Sequence, residues 1–436
     1  MMKKNRTIYF LLALVCLGLQ SCLFQEEDYF DDSSANRATA DVKRCSELLE
    51  AAPNGWVMEY YVGKDYSLGG ITLLCKFDGQ RVTMASQMAG ADETVSSLYS
   101  VKSEQATMLS FDTYNYLVHY FGQPQGSMAD DPNGTLGGDY EFVISDATAD
   151  RIELKGKKYG NRIVMKAFSA DQTWKQYLTR IKKVEDDAFF YEYDLRMDGL
   201  YTGQMLRSNY TFIVTYYDEV GKVHQKTVPF MFTTDGMRFH EPVTIDGQTM
   251  QNFIWKNEEI SFVCTDEGAT EVKMKGIYID GYQSYDYYPG TYLMDFYRLN
   301  GATNQLEVAS QEIQLVKNED GKSYWLKGLE YDILVTYDKP RGGLSILPQF
   351  LKKVQGGYVY LAMWDLMNDY VLRSSAIGLI SYPTTDGIYL VDNGVWMGEI
   401  SGFIFGVYDS QDEEASFMGY TDAVAAIRLI KKTIEE

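Results

Sequence analysis

Apolar and polar residues alternate with a period of two along much of the chain. Tyr140, Phe142 and Ile144 alternate with Glu141 and Val143, and residues 151–155 read polar, Ile152, polar, Leu154, polar. This spacing puts every second side chain on one face of an extended strand. Residues 210–216 and 331–337 add the β-branched and aromatic content of strands. Seven Asp-Gly pairs begin at Asp78, Asp198, Asp235, Asp246, Asp280, Asp320 and Asp386, and four Asn-Gly pairs at Asn54, Asn133, Asn300 and Asn393. Both dipeptides accept the positive φ angles that tight hairpin turns require. Only nine prolines interrupt the pattern. The predicted fold is mainly β, an antiparallel meander forming sandwich or barrel-like modules, with a few short helices.

Helical spacing shows in three places. Residues 41–52 set Val42, Cys45, Leu48 and Leu49 on one stripe, with Asp41 as the expected N-cap and Pro53-Asn54-Gly55 as the stop. A second candidate lies around 110–121. A third starts at Asp171, where Trp174, Tyr177, Leu178, Ile181 and Val184 recur at helical intervals, as in a core-facing stripe. Residues 423–434 suit a strand or a short amphipathic helix. Residues 209–221 and 329–342 echo each other as strand, turn and strand. The expected division is a leader over 1–21, an acidic tether over 22–40 and a β-rich region over 41–170. A helix with a middle β region over 171–268 and a C-terminal β-rich region over 269–436 follow.

Composition narrows the function classes. The 436 residues carry 40 Lys plus Arg against 61 Asp plus Glu, a formal charge of −21, with 45% hydrophobic and 14% aromatic residues. This apolar content supports a buried core rather than a disordered chain. The acidity excludes a nucleic-acid role, which needs a concentrated basic face. At the N-terminus, Lys3, Lys4 and Arg6 precede an apolar run from Ile8 to Leu19, too short to span a bilayer and typical of a signal peptide. The run ends in Leu19-Gln20-Ser21-Cys22, which resembles the lipobox of bacterial lipoproteins; there the cysteine thiol takes a diacylglyceryl group and becomes the mature N-terminus. Removing the leader and its three cations leaves a charge near −21 − 3 = −24. Glu26, Glu27 and Asp28, with Asp31 and Asp32 behind them, read as a solvated tether. They also resemble the acidic export signal of surface lipoproteins.

Candidate chemistry is sparse. Cys45, Cys75 and Cys264 form no C-x-x-C pair, so core cysteines are expected, with a single bridge as the alternative. Three histidines, His119, His224 and His240, leave little for metal or triad chemistry, and structural hydrogen bonding is expected of the two in or beside strands. Asp320-Gly321-Lys322-Ser323 lacks the earlier glycine of a phosphate loop, because that position is Val316. Asp130, Asp131, Asn133 and Asp139 could offer oxygen ligands to calcium, but the EF-hand spacing fails at Leu136 and Phe142, and a solvated loop is favoured. Lys155, Lys157, Lys158, Arg162 and Lys166 read as a hairpin with solvated lysines. No metal, cofactor or catalytic residue is nominated. The aromatic content is the suggestive feature, with 35 tyrosines and 6 tryptophans. Tyr278, Tyr282, Tyr285, Tyr287, Tyr288 and Tyr292 form the densest group. Tyr282, Tyr285, Tyr287 and Tyr288 are the candidate ligand-binding residues, since phenol rings stack on sugar C–H faces. The alternative is plain strand tyrosine. Trp56, Trp255, Trp325, Trp364 and Trp396 are expected in strands, packed in the core.

The strings at 52–61 (APNGWVMEYY), 111–121 (FDTYNYLVHYF), 137–146 (GGDYEFVISD), 154–161 (LKGKKYGN) and 329–338 (LEYDILVTYD), taken with the lipobox, resemble a Bacteroidota lipoprotein family known as domain of unknown function 4302. The resemblance implies a lipid-anchored outer-membrane protein, palmitate-bearing and exposed at the cell surface, like the accessory lipoproteins beside SusC/SusD-like uptake systems. It supplies no reaction and no catalytic residues. The expected role is a non-catalytic binding or accessory component of nutrient uptake, with a glycan or peptide ligand. A structural or adhesive surface protein is the alternative, and a hydrolase a third reading. Replacing Cys22 by Ala is expected to move the protein from the membrane to the soluble fraction and to abolish labelling by a radioactive fatty acid; a mutant still sedimenting with membranes contradicts lipid attachment.

Overall fold

The computed structural model describes residues 33–124, 134–218, 220–412 and 414–432. The leader, Cys22, the acidic residues Glu26, Glu27, Asp28, Asp31 and Asp32, and the loop residues Asp130, Asp131 and Asn133 lie outside the described residues. The chain divides into two compact units. One runs up to Val184 and includes Asn209–Thr211 and Val228–Val243; the other comprises Glu185–Ser208, Phe212–Thr227 and the chain from Thr244 onward.

The alternation seen in the sequence produces antiparallel strands throughout. The first closed barrel comprises β1 (Trp56–Val62), β2 (Gly69–Asp78), β3 (Arg81–Ser86), β4 (Val95–Ser103), β5 (Thr107–Phe111), β6 (Glu141–Ala147), β7 (Arg151–Gly156) and β8 (Arg162–Ala167). Neighbours in sequence are neighbours in the sheet, and β8 returns to pair with β1 through Met58↔Met165. Inward positions are filled by Trp56, Met58, Leu73, Cys75, Phe142 and Leu154, all nearly inaccessible. Charged side chains such as Glu153, Lys155 and Arg162 take the alternate positions, the reverse of the apolar outer band of a membrane barrel.

Helix α1 (Ser34–Ala51) packs Cys45 and Leu49 into the core cluster of this barrel, and the Trp56 indole donates to the Leu49 carbonyl at 2.8 Å. The helix starts before the expected Asp41 and converts the end of the expected tether into helix. Ser33 is the cap, its hydroxyl accepting from the Asn36 amide at 3.2 Å. Asp41 instead accepts from Thr107 and Arg44. The second expected helix shrinks to α2 (Tyr116–His119), because Ser110 and Phe111 are taken by β5 and Asn115 caps the Leu117 amide. Helix α3 (Trp174–Asp187) buries Leu178, Ile181 and Val184 as the spacing predicts. It begins after Asp171 because Thr173 and Gln176 form a reciprocal cap, each side chain accepting from the other's amide.

A second closed barrel follows, made of β9 (Glu192–Met197), β10 (Leu200–Ser208), β11 (Thr211–Tyr217), β12 (Val223–Phe232), β13 (Gly236–Ile245), β14 (Gln248–Lys256), β15 (Ser261–Cys264) and β16 (Lys273–Ile277). Asp198-Gly199 and Asp246-Gly247 form two-residue turns with both φ angles positive, at 50° and 79° and at 48° and 74°. Both join adjacent strands as read from the dipeptides. Strand β16 pairs with β9, so the barrel extends past the division expected at 268.

The third sheet contains β17 (Gly290–Asn300), β18 (Gln305–Lys317), β19 (Ser323–Lys327), β20 (Ile333–Asp338), β21 (Gly343–Ile346), β22 (Gln349–Val354), β23 (Gly357–Asp365), β24 (Tyr370–Leu372), β25 (Leu379–Thr384), β26 (Gly387–Asp392), β27 (Gly402–Tyr408) and β28 (Phe417–Lys431). Strands β17 to β21, β25, β26 and β28 form a closed circuit, because β28 pairs with both β26 and β17. Asp295 of β17 lies opposite Arg428 of β28, and their ion pair at 2.8 Å fixes the register of closure. The earlier half of β28 pairs with β27 instead, starting a wing that continues through β23 to β22 and β24. Ala426, at φ 51°, lies in β28 beside this branch, and its amide donates to Ser401. The C-terminal alternative is therefore settled as a strand. Trp56 and Trp364 are buried in strands, whereas Trp396 lies outside the strands, partly exposed, with its indole donating to Asp365 at 3.0 Å.

One charge cluster sits within the unit that holds the first barrel. Glu59 of β1 binds Lys166 at 2.7 Å and Arg238 at 2.6 Å, with its side chain only 13% exposed. Burial works to raise the Glu59 carboxyl pKa, but the Arg238 guanidinium and Lys166 ammonium outweigh it and hold it below the usual range. A depressed carboxyl contributes stability above its unfolded value, near 4.3, and loses it as pH falls through the folded value. Glu59→Gln leaves two cations short of their partner and is expected to cost about 3 kcal/mol at pH 7 in denaturant unfolding. The gap to the wild type is expected to narrow as pH falls below about 4.

Candidate functional site

The tyrosine-rich segment spans 278–289, between β16 and β17, and has no regular secondary structure. Its side chains hold it by donating phenol protons to backbone carbonyls. Tyr288 donates to Gly342 at 2.8 Å, Tyr285 to Ser323 at 2.8 Å and Tyr292 to Tyr288 at 2.7 Å. From the sheet, Tyr324 donates back to Tyr285 at 2.6 Å, and Tyr337 donates to Gln283 at 2.8 Å while lying 3.0 Å from the Tyr282 hydroxyl. Burial pushes the Tyr292, Tyr324 and Tyr337 phenols far above their usual pKa, with neighbouring phenols adding to the effect, so all stay protonated donors at neutral pH. The segment approaches Gly342 closely: φ there is +61°, and a Cβ would lie 2.6 Å from the Tyr282 ring and 2.7 Å from the Gln283 nitrogen.

The segment walls a cleft of about 540 Å³ with Asp186, Gly321, Lys322 and residues 337–340. Most of its charges are matched locally. Lys339 binds Asp186 at 3.0 Å and sits over the Phe189 ring, and Lys317 pairs with Asp286. The structure brings Tyr282 and Tyr285 to this cleft and separates the other two candidates from it. Tyr288 is fully buried, and Tyr287, 39% exposed, packs edge-on against Tyr288 with Lys431 over its ring. Tyr285 stacks on Tyr324 at 4.7 Å with Lys317 above it, and Tyr282 packs against Tyr278 and Phe189. The four rings do not form one free platform. A second recess in the same unit, of about 480 Å³, lies across Asp338 and includes Arg341 and Tyr382. Sequence reasoning missed it, because Tyr382 stands apart from the dense tyrosine group.

The remaining candidates resolve into structural roles. His224 bonds Asp218 at 2.9 Å and stacks on Tyr216, His240 packs on Tyr61 and Tyr66, and His119 stacks on Tyr140. Cys45, Cys75 and Cys264 are free and buried, and burial pushes the Cys264 thiol up to about 11. Among the described residues no group of three His, Cys, Asp or Glu is placed to hold a metal ion. Asp139 is buried, and its carboxylate accepts from the Lys158 and Tyr159 amides at 2.7 and 3.1 Å, so it braces the β7–β8 turn. Lys157 pairs with Glu104 and Glu141, Lys166 with Glu59, and Arg162 with Glu153, which offsets much of the basic hairpin. Asp320 accepts from the Lys322 and Ser323 amides at 2.7 and 2.9 Å, making the phosphate-loop look-alike an ordinary turn.

The profile of DUF4302, a domain of unknown function, matches residues 26–257, and this chain belongs to that family. A second domain of unknown function, DUF4987, matches residues 265–404. No curated protein sequence matches the chain. Among solved structures, a DUF3598 protein of unknown function from Nostoc punctiforme is 7% identical, covering 57% of this chain and 99% of that one at a TM-score of 0.15. Intact Ap-TbpB, with its N and C lobes, is 10% identical, covering 84% of this chain and 67% of that one at 0.14. Transferrin binding protein B of Haemophilus parasuis is 11% identical with the same coverage at 0.13.

The bracing roles can be separated from ligand contact by stability. Tyr288→Phe strands the Gly342 carbonyl and is expected to lower the unfolding free energy by about 1–2 kcal/mol. Tyr287→Ala, at a more exposed position, is expected to change it by no more than about 0.5 kcal/mol in the same urea titration.

Proposed function

We propose that this protein is a surface-exposed outer-membrane lipoprotein acting as a non-catalytic binding or accessory component of nutrient uptake. Its lipid at Cys22 would hold it at the membrane, and the barrels would present loops to a glycan or peptide and to SusC/SusD-like partners. The observation that carries this reading is the braced cleft beside segment 278–289. Its walls are held by phenol-to-carbonyl bonds and its charges are largely paired, which describes a preformed recess of ligand size. No helix among the described residues is long and apolar enough to cross a membrane. Attachment in this reading therefore rests on the lipid.

A structural or adhesive role is the second reading. Leu200, Tyr201 and Leu206 of β10 and Ile213 and Tyr217 of β11 are exposed on neighbouring strands, a surface suited to contact with another macromolecule.

Protease treatment of whole cells tests the location. Wild-type protein is expected to be cleaved without lysis, and replacing Glu26, Glu27 and Asp28 by Ala is expected to protect it. Equal cleavage of both removes the acidic segment from the export argument. Crosslinking on intact cells tests the role: recovery of an uptake channel is expected, and recovery of matrix or host-surface protein alone favours adhesion.

A further inference from the structure

The second recess differs from the tyrosine cleft in one respect that matters for recognition: its aromatic ring is uncovered. Tyr382 of β25 is 62% exposed, and its side chain has no ring or hydrogen-bond partner among the described residues, although its backbone pairs with Tyr389 in the sheet. It lies near the end of β25 and, with Leu344, Ile380 and residues of the β20–β21 turn, lines a cavity of about 480 Å³. The same recess is lined by Asp280, whose carboxylate has no partner among the described residues, and by Asp338 and Arg341. Arg341 is 56% exposed and lies 3.7 Å from Asp338, a separation that leaves most of its donors free.

We propose that this recess is a binding site for a neutral carbohydrate. The inference rests on the binding role proposed above and names its ligand class. A sugar ring offers one apolar C–H face and a rim of hydroxyls. Tyr382 supplies a flat surface for the face, and the planar carboxylates and guanidinium accept from and donate to adjacent hydroxyls. The recess holds two carboxylates against one cation in a chain of net charge −21, which disfavours uronates and sulfated sugars. Its volume lies within the range of small-ligand sites. The segment carrying Asp280 is pinned a few residues on by the close contact at Gly342, so the recess is built before a ligand arrives.

The test is an array of neutral and anionic oligosaccharides probed with the mature chain, followed by calorimetric titration of the best neutral binder. Wild-type protein is expected to bind neutral hexose chains. Tyr382→Ala and Arg341→Ala are each expected to weaken binding roughly tenfold or more, and Tyr382→Phe to retain it, all with unchanged melting temperature. Glycan binding that both alanine variants leave intact overturns this site while the binding role stands. Preference for sulfated or uronate chains overturns the neutral class. Wild-type protein that binds no glycan, yet still crosslinks to an uptake channel, overturns the carbohydrate assignment and spares the accessory role.

Discussion

A row of β-strands satisfies every backbone donor and acceptor only when its last member pairs with its first. That closure is the constraint on which this structure depends. The first barrel meets it by returning β8 to β1, and the second by returning β16 to β9. The third circuit meets it through β28, whose pairing with β17 is fixed by the Asp295–Arg428 ion pair. Closure leaves no exposed edge in these barrels, and it turns period-two alternation into an inside and an outside. Trp56, Met58 and Tyr60 can all be large because the barrel interior is filled rather than open.

Local features of the fold were legible in the sequence, and distant ones were not. Asp198-Gly199 and Asp246-Gly247 marked hairpins because the turn needs only its own two residues to take positive φ. The stripe of α3 was legible because Leu178, Ile181 and Val184 meet the core at helical intervals. The start of α1 was hidden, since residues 34–40 carry no apolar stripe and depend on Ser33 for their cap. The returns of β8, β16 and β28 join segments far apart in the chain, with no local mark to announce them. Strand β16, which follows the division expected at 268, finds its partner in β9, some eighty residues earlier in the chain.

The candidate site shows the same limit at the level of single side chains. The tyrosine cluster was visible as composition, but its use was not. Whether a phenol faces a ligand or a carbonyl depends on Gly342 and Ser323, which lie tens of residues away. Tyr285 and Tyr288 brace the segment, and Tyr382, a tyrosine that density of composition passed over, is among the exposed ones. The phenols that brace the segment also explain its shape: each donates its one hydroxyl hydrogen bond to a backbone oxygen and holds the segment in place without helix or strand.

The two-sided use of β28 bears on how this polypeptide is made. Translation delivers a chain vectorially, N-terminal end first. Strands β1–β8 complete their barrel from one continuous stretch, so that barrel can form soon after it emerges. Strand β17 finds β18 at once but waits for its other neighbour until all the intervening chain has appeared. Over that interval the third circuit has an open flank, and the wing, attached through the same late strand, has no anchor on the circuit. A chaperone that guards emerging strands in the compartment where this protein folds would have its longest engagement there.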